Sequence, residues 1–288
     1  MSAFPSAFAE RQRTIDQALE AAIAAAGAPD PVRHAMAYTL LAPSKRVRAV
    51  LVHLAADVCG NGAHAAPAAT AVECIHASSL ILDDLPSMDD APLRRGRPSC
   101  HIAHGEAVAI LASVGLLNLA YAHLAQAYPA PLATRVTRLY ADAVGLDGLI
   151  GGQAEDVLAT GAALDFDTLE RIHRRKTGVL FSAAAQAGAV SAGATDAAIQ
   201  SLAAYAKNLG LAFQIVDDLL DVVGTEAETG KAVRADARKT TFVSFAGVEG
   251  ARDLAADLCA TAERALDPFG ARADGLRTLA RFVAGRRN

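Results

Sequence analysis

The sequence predicts an all-α protein with a single domain. Hydrophobic residues make up 52% of the 288 residues, aromatic residues only 5%, and there is no Trp. Alanine and leucine dominate the apolar set, and both favour helices. Runs of Val, Ile, Tyr and Thr that would indicate strands are missing, and no Ser-, Gly- or Pro-rich linker divides the chain. We therefore expect one domain over residues 1–288, with residues 1–8 frayed.

Helical periodicity and the Gly and Pro breaks divide the chain into segments. The segment 107–127 is the most apolar, but Asn118 and His123 interrupt it. We therefore expect a buried central helix there rather than a membrane span. C-terminal helices follow residue 241. The other predicted helices span residues 9–26, 32–41, 49–58, 67–82, 132–160 and 201–223, and a further apolar helix is expected after Lys176.

Residues 80–97, LILDDLPSMDDAPLRRGR, contain the first of two acidic clusters. Like charges one turn apart destabilise a helix by roughly 0.2–0.5 kcal/mol per pair, so a cation is expected among these aspartates. Carboxylate oxygens without neighbouring His or Cys suit a hard cation such as Mg²⁺. Pro86 should distort the helix between the two acid pairs. The candidate metal ligands here are Asp83, Asp84 and Asp89.

The second acidic cluster, residues 213–221, has the sequence FQIVDDLLD and also ends an apolar helical run. Asp217 and Asp221 are four residues apart and share a helix face, with Asp218 beside them and Gln214 one turn earlier. One such cluster is more often a solvated helix face. Two clusters with apolar lead-ins instead favour a metal site between facing carboxylate walls, because functional sites concentrate charge that folding alone would avoid.

Basic residues near these clusters are candidates for phosphate binding. Lys45 and Arg48 could share one face at a helix N-terminus, where backbone N–H groups also favour phosphate. Arg94 and Arg95 present forked donors that fit phosphate oxygens. Each signal is weak alone, because a basic first turn of a helix is usually exposed to solvent. A lysine before an apolar helix, such as Lys176, usually lays its stem along the helix and keeps its charge in water.

Composition excludes several other classes of function. The net charge of −4 predicts no general attraction to nucleic acid or to an anionic membrane. The four cysteines lack CxxC spacing, so we expect free thiols in a reducing compartment rather than disulfides or a zinc site. The sequence does not open with a basic segment and a long apolar run, so no signal peptide is expected and a cytoplasmic location is predicted.

These motifs, together with GQ at 152–153, KTG at 176–178 and GK at 230–231, resemble those of the trans-isoprenyl diphosphate synthases, in the same order from about Lys45 to Thr241. The stretch DDLPSMDDAPLRRGRP is most similar to bacterial geranylgeranyl diphosphate synthases. The resemblance implies the isoprenoid synthase fold, a bundle of about ten or more helices around a central cavity. It also implies a homodimer, three Mg²⁺ ions, and isopentenyl diphosphate and an allylic diphosphate as substrates.

The resemblance also assigns roles to individual residues. Arg94 and Lys176 would bind the allylic diphosphate, and Thr177 and Gln214 would lie near the developing cation. Pro43-Ser44 replaces a Gly-Gly pair of the family motif, which leaves the shape of that loop open. Lys231 and Lys239 match family phosphate ligands. The residues that would bind isopentenyl diphosphate are Lys45, Arg48, His76 and Arg95.

The length of the product can be argued from two small residues. Ser78 and Ser79 precede Asp83 by about one helical turn, roughly 5.4 Å deeper along the predicted cavity. Relatives that stop at the farnesyl product commonly carry an aromatic ring at one of these positions. Two serines leave room for a further isoprene unit and favour geranylgeranyl diphosphate. Candidates for the floor of the cavity are Ile110, Leu111 and Val114.

Three alternatives remain open from the sequence. The first is a synthase that makes farnesyl or longer polyprenyl diphosphates. The second is a class I terpene cyclase, against which the predicted isopentenyl diphosphate site argues. The third is a non-catalytic partner subunit, which usually lacks one of the two acidic clusters.

Overall fold

The protein is described by a computed structural model in which residues 4–159, 161–223 and 240–286 are placed. This part of the chain is mostly helical, so the all-α prediction is confirmed. The α-helices are α1 (Ala9–Ala25), α2 (Asp30–Leu40), α3 (Val47–Val58), α4 (Ala66–Asp83), α5 (Cys100–His104), α6 (Glu106–Ala127), α7 (Ala130–Val144), α8 (Leu149–Leu158), α9 (Phe166–His173), α10 (Val179–Ser191), α11 (Asp196–Val223), α12 (Phe242–Arg264) and α13 (Asp274–Ala284).

Short elements connect several of these helices. A two-residue hairpin pairs β1 (Leu93–Arg94) with β2 (Arg97–Pro98) in antiparallel register. The turn Arg174–Gly178 between α9 and α10 is a π-helix. The 3₁₀ helices are Ser6–Phe8, Gly62–His64 and Asp267–Ala273.

One predicted helix is divided in the structure, so that prediction was wrong. The segment 132–160 forms α7 and α8, because the backbone turns at Gly145 and Gly148, where a Cβ on Gly148 would lie 2.1 Å from the carbonyl oxygen of Ala143. The apolar helix expected after Lys176 is α10, which begins at Val179 after the π-helical turn.

The N-terminal segment is also more ordered than predicted from residue 4 onward. Residues 6–8 form a 3₁₀ helix, and Phe8 is buried. The ring of Phe4 packs edge-on against Phe282 of α13, at a centroid distance of 5.1 Å. These contacts tie the start of the described chain to its end.

Small side chains let the helices of the main core pack closely. Helix α6 faces α4 with Ala109, Ala112 and Ser113, all buried. A second, smaller apolar cluster joins α9, α11 and α12 around Ile215 and Phe242. The two cores together fix the C-terminal ends of α4 and α11, which carry the two acidic clusters.

Helix α6 is not the buried central helix that the sequence predicted. One of its faces is exposed: Ile110, Leu111 and Val114 are 43%, 56% and 58% accessible to solvent. These side chains, the candidates for the cavity floor, are therefore solvent-exposed in this chain, and their role as a floor stays a prediction. Among the described residues α6 is the one helix long and apolar enough to cross a bilayer, and 33% of its most apolar window is buried.

Candidate active site

The first acidic cluster lies in a turn rather than on a distorted helix. Helix α4 ends at Asp83, three residues before Pro86, which corrects the predicted role of that proline. The backbone N–H of Asp89 donates a hydrogen bond to the carbonyl oxygen of Asp83 at 3.0 Å. This bond folds the turn back on itself and brings the second acid pair beside the first.

Asp83 is surrounded by positive and polar donors. Its Oδ1 accepts hydrogen bonds from Lys176 Nζ at 3.1 Å and from Gln153 Nε2 at 2.8 Å, and its Oδ2 lies 3.7 Å from Arg94 Nη2. Burial alone would raise the pKa of Asp83, but the charges of Lys176 and Arg94 outweigh it and hold the pKa below its ordinary value. Asp83 is therefore ionised at neutral pH.

The two arginines of the first cluster are placed by the hairpin. Arg95 and Gly96 both have positive φ angles, 55° and 72°, as a two-residue hairpin turn requires. Arg94 leaves this turn toward Asp84, and its Nε lies 2.9 and 3.1 Å from the two carboxylate oxygens. Asp84 is only 2% exposed. In this structure the Asp84 carboxylate is thus occupied by Arg94.

Lys176 and Thr177 lie on the π-helical turn, a geometry that is frequent at functional sites. Close approach of two glycines sets its position. A Cβ on Gly152 of α8 would lie 2.5 Å from the backbone nitrogen of Lys176, and one on Gly210 of α11 would lie 2.9 Å from the Cα of Gly178. Only glycine allows these helices to hold the turn so tightly between them.

The second acidic cluster is joined to this turn by hydrogen bonds. Thr177 Oγ1 donates to Gln214 Oε1 at 2.9 Å, and Gln214 Nε2 donates to Asp218 Oδ1 at 3.0 Å. Asp218 Oδ2 accepts the backbone N–H of Phe242 at 3.0 Å, so this buried carboxylate caps the start of α12. Asp217 and Asp221, in contrast, are partly exposed.

Asp217 has an ion-pair partner that comes from the C-terminus. Arg286 Nη1 lies 2.8 Å from Asp217 Oδ1, and the guanidinium lies 4.2 Å from the centroid of the Phe213 ring. The Arg286 side chain is only 10% exposed. The C-terminal end of the described chain therefore lies against the second acidic cluster.

The four predicted isopentenyl diphosphate residues form a basic group, called the basic pocket, in which Arg48, His76 and Arg95 lie close enough to influence one another's pKa. Arg48, which packs over the Phe181 ring at 4.6 Å, donates from Nη1 to His76 Nε2 at 3.3 Å. A guanidinium can only donate, so this bond places the imidazole proton on Nδ1. Burial and the neighbouring Arg48 and Arg95 lower the pKa of His76 well below its ordinary value, and the ring is neutral.

Lys45 also lies close to the second acidic cluster, since the charges of Asp217 and Arg286 act on it. Its Nζ is 5.4 Å from the centroid of the Phe282 ring. Burial and the charge of Arg286 lower the pKa of Lys45 to about 8, against the opposing attraction of Asp217. Its charge is therefore sensitive to pH just above neutrality.

The two serines of the predicted product cavity differ in their surroundings. Ser78 is buried, and its Oγ lies 2.9 Å from Ser113 Oγ of α6. Ser113 Oγ also lies 3.0 Å from the carbonyl oxygen of Ser78. Ser79 is partly exposed and donates to the carbonyl oxygen of His76.

Comparison with known proteins identifies the family to which this arrangement belongs. The sequence profile of the polyprenyl synthetase family matches residues 29–259. The chloroplastic geranylgeranyl pyrophosphate synthase of Capsicum annuum is 39% identical over 287 residues, which cover 97% of this chain and 78% of that protein. This chain belongs to the polyprenyl synthetase family, which consists of trans-prenyltransferases.

Two further relatives bear on specificity and on the metal. The farnesyl diphosphate synthase of Escherichia coli is 46% identical over 246 residues, 82% of each chain. The crystal structure of a geranyltransferase from Helicobacter pylori, complexed with magnesium and isoprenyl diphosphate, superposes with a TM-score of 0.84 at 28% identity and covers 97% of each chain.

The residues present have the chemistry that a magnesium site completed by substrate phosphate would require. Among the described residues, no three His, Cys, Asp or Glu side chains cluster closely enough to hold a metal by themselves. Mg²⁺ commonly takes one or two carboxylates together with water and substrate phosphate, which the separate acids Asp83, Asp89, Asp217 and Asp221 can provide. As metal ligands all six predicted aspartates remain predictions, and Asp84 and Asp218 are held here by protein donors.

Two predicted residues lie outside the described part of the chain, and the structure adds two residues whose roles the sequence did not indicate. Lys231 and Lys239 lie outside the described residues. The sequence alone does not distinguish Asp156 from an exposed acid, but its Oδ2 lies 2.8 Å from Lys176 Nζ. Glu73 was not identified from the sequence. It is the only acid in α4 before Asp83, and its position in a mostly apolar segment could have indicated a buried carboxylate.

Proposed function

We propose that this polyprenyl synthetase condenses isopentenyl diphosphate with an allylic diphosphate, chosen from dimethylallyl, geranyl and farnesyl diphosphate, to give geranylgeranyl diphosphate and free diphosphate. One observation carries the proposal. Asp83 and Asp217 each pair with a cation. Arg48 and His76, joined by a hydrogen bond, belong to a second and basic group. Two sites of this kind suit two diphosphates with different fates, one that leaves and one that stays.

The acidic site supports departure of the allylic diphosphate. Mg²⁺ held by the Asp83 and Asp217 walls, as three ions by resemblance, would supply positive charge to the diphosphate as its C–O bond breaks. Lys176 and Arg94 both contact Asp83, and they would stabilise charge that develops on the leaving oxygens. The hydroxyl and amide of Thr177 and Gln214 would present their dipoles to the allylic cation.

The basic pocket orients the second substrate. Lys45, Arg48 and Arg95 would hold the isopentenyl diphosphate by its phosphates, while the neutral ring of His76 fixes the Arg48 guanidinium. The double bond of isopentenyl diphosphate then forms the new C–C bond with the allylic carbon. The proton lost afterwards passes to the released diphosphate, so no Ser, Cys or His nucleophile is needed.

Product length is the finer part of the proposal. Ser78 and Ser79, about one turn before Asp83 on α4, carry no aromatic ring, which supports a twenty-carbon product. The 46% identity to the Escherichia coli farnesyl diphosphate synthase supports a farnesyl synthase as the second candidate.

Chromatography of products decides between the two candidates. The purified chain is incubated with Mg²⁺, isopentenyl diphosphate and each allylic diphosphate in turn. We expect geranylgeranyl diphosphate as the dominant product from all three. Accumulation of farnesyl diphosphate, with no elongation of added farnesyl diphosphate, would instead support the second candidate.

We also infer that the enzyme acts as a homodimer in the cytoplasm. The exposed apolar face of α6, at Ile110, Leu111 and Val114, supports the dimer, because monomers rarely expose contiguous apolar patches. Sedimentation velocity should give twice the chain mass for the wild type and a monomer for Leu111→Glu. A monomeric wild type would contradict this inference.

A further inference from the structure

The turn that carries Lys45 and Arg48 has an unusual backbone. Arg46 lies between them with φ 50° and ψ 37°, in the left-handed region, and is the N-cap residue of α3. For a residue other than glycine this conformation is strained, and it persists only where the surroundings determine it. Contacts outside the turn must therefore hold it in place.

The side chain of Arg46 provides one set of these contacts. It is only 5% exposed and is held at three points. Its Nε lies 2.8 Å from Asp16 Oδ1 of α1, its Nη1 lies 3.5 Å from Glu73 Oε2 of α4, and its Nη2 donates to the carbonyl oxygen of Ala42 at 3.3 Å. A strained residue is thus anchored to two helices and to the chain before the turn.

Glu73 provides a second contact, and it replaces a missing helix cap. The Arg46 side chain makes no capping hydrogen bond to α3. Instead Glu73 Oε1, from the neighbouring helix, accepts the backbone N–H of Ala49 at 3.2 Å. This N–H belongs to the first turn of α3, where an N-cap side chain would ordinarily accept it.

Glu73 also lies where it can control the basic pocket without contacting a substrate. His76 follows it by three residues on α4, so both side chains lie on the same side of that helix. Glu73 accepts the backbone N–H of Ala49, while His76 accepts a hydrogen bond from the side chain of the preceding residue, Arg48. Glu73 is 3% exposed, and its charge faces the buried guanidinium of Arg46.

We propose that Glu73 is a positioning residue for isopentenyl diphosphate: through Arg46 and the N–H of Ala49 it sets the turn that aims Lys45 and Arg48 into the basic pocket. The inference rests on the proposed function, and it concerns one substrate only. The allylic site is built on α4, α8 and the π-helical turn, and it does not use this contact.

Two substitutions separate positioning from charge. Glu73→Asp keeps the charge but shortens the reach by one methylene, and Glu73→Gln keeps the reach but places an amide donor against Arg46 or Ala49. If only charge mattered, the Asp variant would behave as wild type, and the Gln variant would bind the anionic substrate more tightly. Positioning predicts that both variants weaken the binding of isopentenyl diphosphate.

The test measures steady-state kinetics with each substrate varied, and calorimetric binding of isopentenyl diphosphate alone. We expect both variants to raise KM and Kd for isopentenyl diphosphate about tenfold. KM for farnesyl diphosphate, and kcat at saturating isopentenyl diphosphate, should stay within about threefold of wild type. Glu249→Gln, which removes the charge of an exposed Arg252 partner on α12, should change none of these values.

The possible outcomes are distinct. An inactive wild type contradicts the proposed function, whereas an active wild type with an unchanged or lowered KM for isopentenyl diphosphate in either variant overturns the inference. Equal losses for both substrates also overturn it, because they indicate general damage. If the Glu73 variants do not fold, Arg46→Lys is measured instead, with the same selective rise in KM expected and the same results overturning the inference.

Discussion

Asp156 provides a sharp test of the acidic site, because it pairs directly with the cation of Lys176. Its Oδ2 lies 2.8 Å from Lys176 Nζ, and the two side chains are only 13% and 21% exposed. A charge-assisted hydrogen bond in such surroundings contributes about 1.5–3 kcal/mol. Asp83 still holds the ammonium at 3.1 Å when Asp156 is replaced, so the lower value applies. A loss of about 1.4 kcal/mol corresponds to about a tenfold fall in rate.

We therefore expect Asp156→Asn to lower kcat/KM for the allylic diphosphate about tenfold. KM for isopentenyl diphosphate should stay unchanged, because the basic pocket does not contain Lys176. The assay varies farnesyl diphosphate at saturating isopentenyl diphosphate. Asp142→Asn, which removes an exposed carboxylate on α7, serves as the control. A change of less than twofold, or an equal loss with both substrates, would refute the proposed role of Asp156.

Three further predictions follow from the same site. Lys45, with a pKa of about 8, loses its proton as pH rises through that value, so KM for isopentenyl diphosphate should increase above pH 8 in the wild type but not in Lys45→Arg. Arg286→Ala removes the ion pair with Asp217, which contributes at most about 1 kcal/mol. The Mg²⁺ concentration for half-maximal activity and the calorimetric Kd for Mg²⁺ should therefore fall up to about fivefold. Ser78→Phe places a ring where α4 meets α6 and should shorten the product to farnesyl diphosphate, as measured by chromatography.

Each of these has a result that contradicts it. A pH profile that is identical in Lys45→Arg removes the argument from its pKa. An Arg286→Ala variant that binds Mg²⁺ no better than Arg281→Ala, an exposed control on α13, shows that the C-terminal arginine does not compete for Asp217. An unchanged product in Ser78→Phe shows that this position does not limit the chain.

The helices and the acidic clusters could be predicted because their signals are local. The spacing of Asp217 and Asp221 is a property of one helix, and the Ala-rich runs define the ends of α1, α4 and α11 to within a few residues. Where the sequence failed, the cause was tertiary. The π-helical turn depends on the close approach of Gly152 and Gly210, and nothing in the local pattern indicates which helices those glycines meet.

The partners of the charged residues were likewise beyond local reasoning. Arg94 and Asp84 lie only ten residues apart in the sequence. Lys176 and Asp156, in contrast, belong to separate helical segments. Arg286 follows the last helix, α13, and contacts Asp217 of α11. The exposed face of α6 shows a similar limit. A continuous apolar helix in the sequence does not reveal whether its faces are covered by the same chain or left open.

The central claim is that the ends of α4 and α11 form one magnesium-dependent site that ionises an allylic diphosphate. The most direct measurement is the Mg²⁺-dependent condensation of farnesyl and isopentenyl diphosphate by Asp83→Asn and by Asp217→Asn, with folding checked by thermal melting. We predict that each variant alone loses at least about a hundredfold in kcat while it keeps a cooperative melt. Activity within tenfold of wild type in either folded variant would contradict the account.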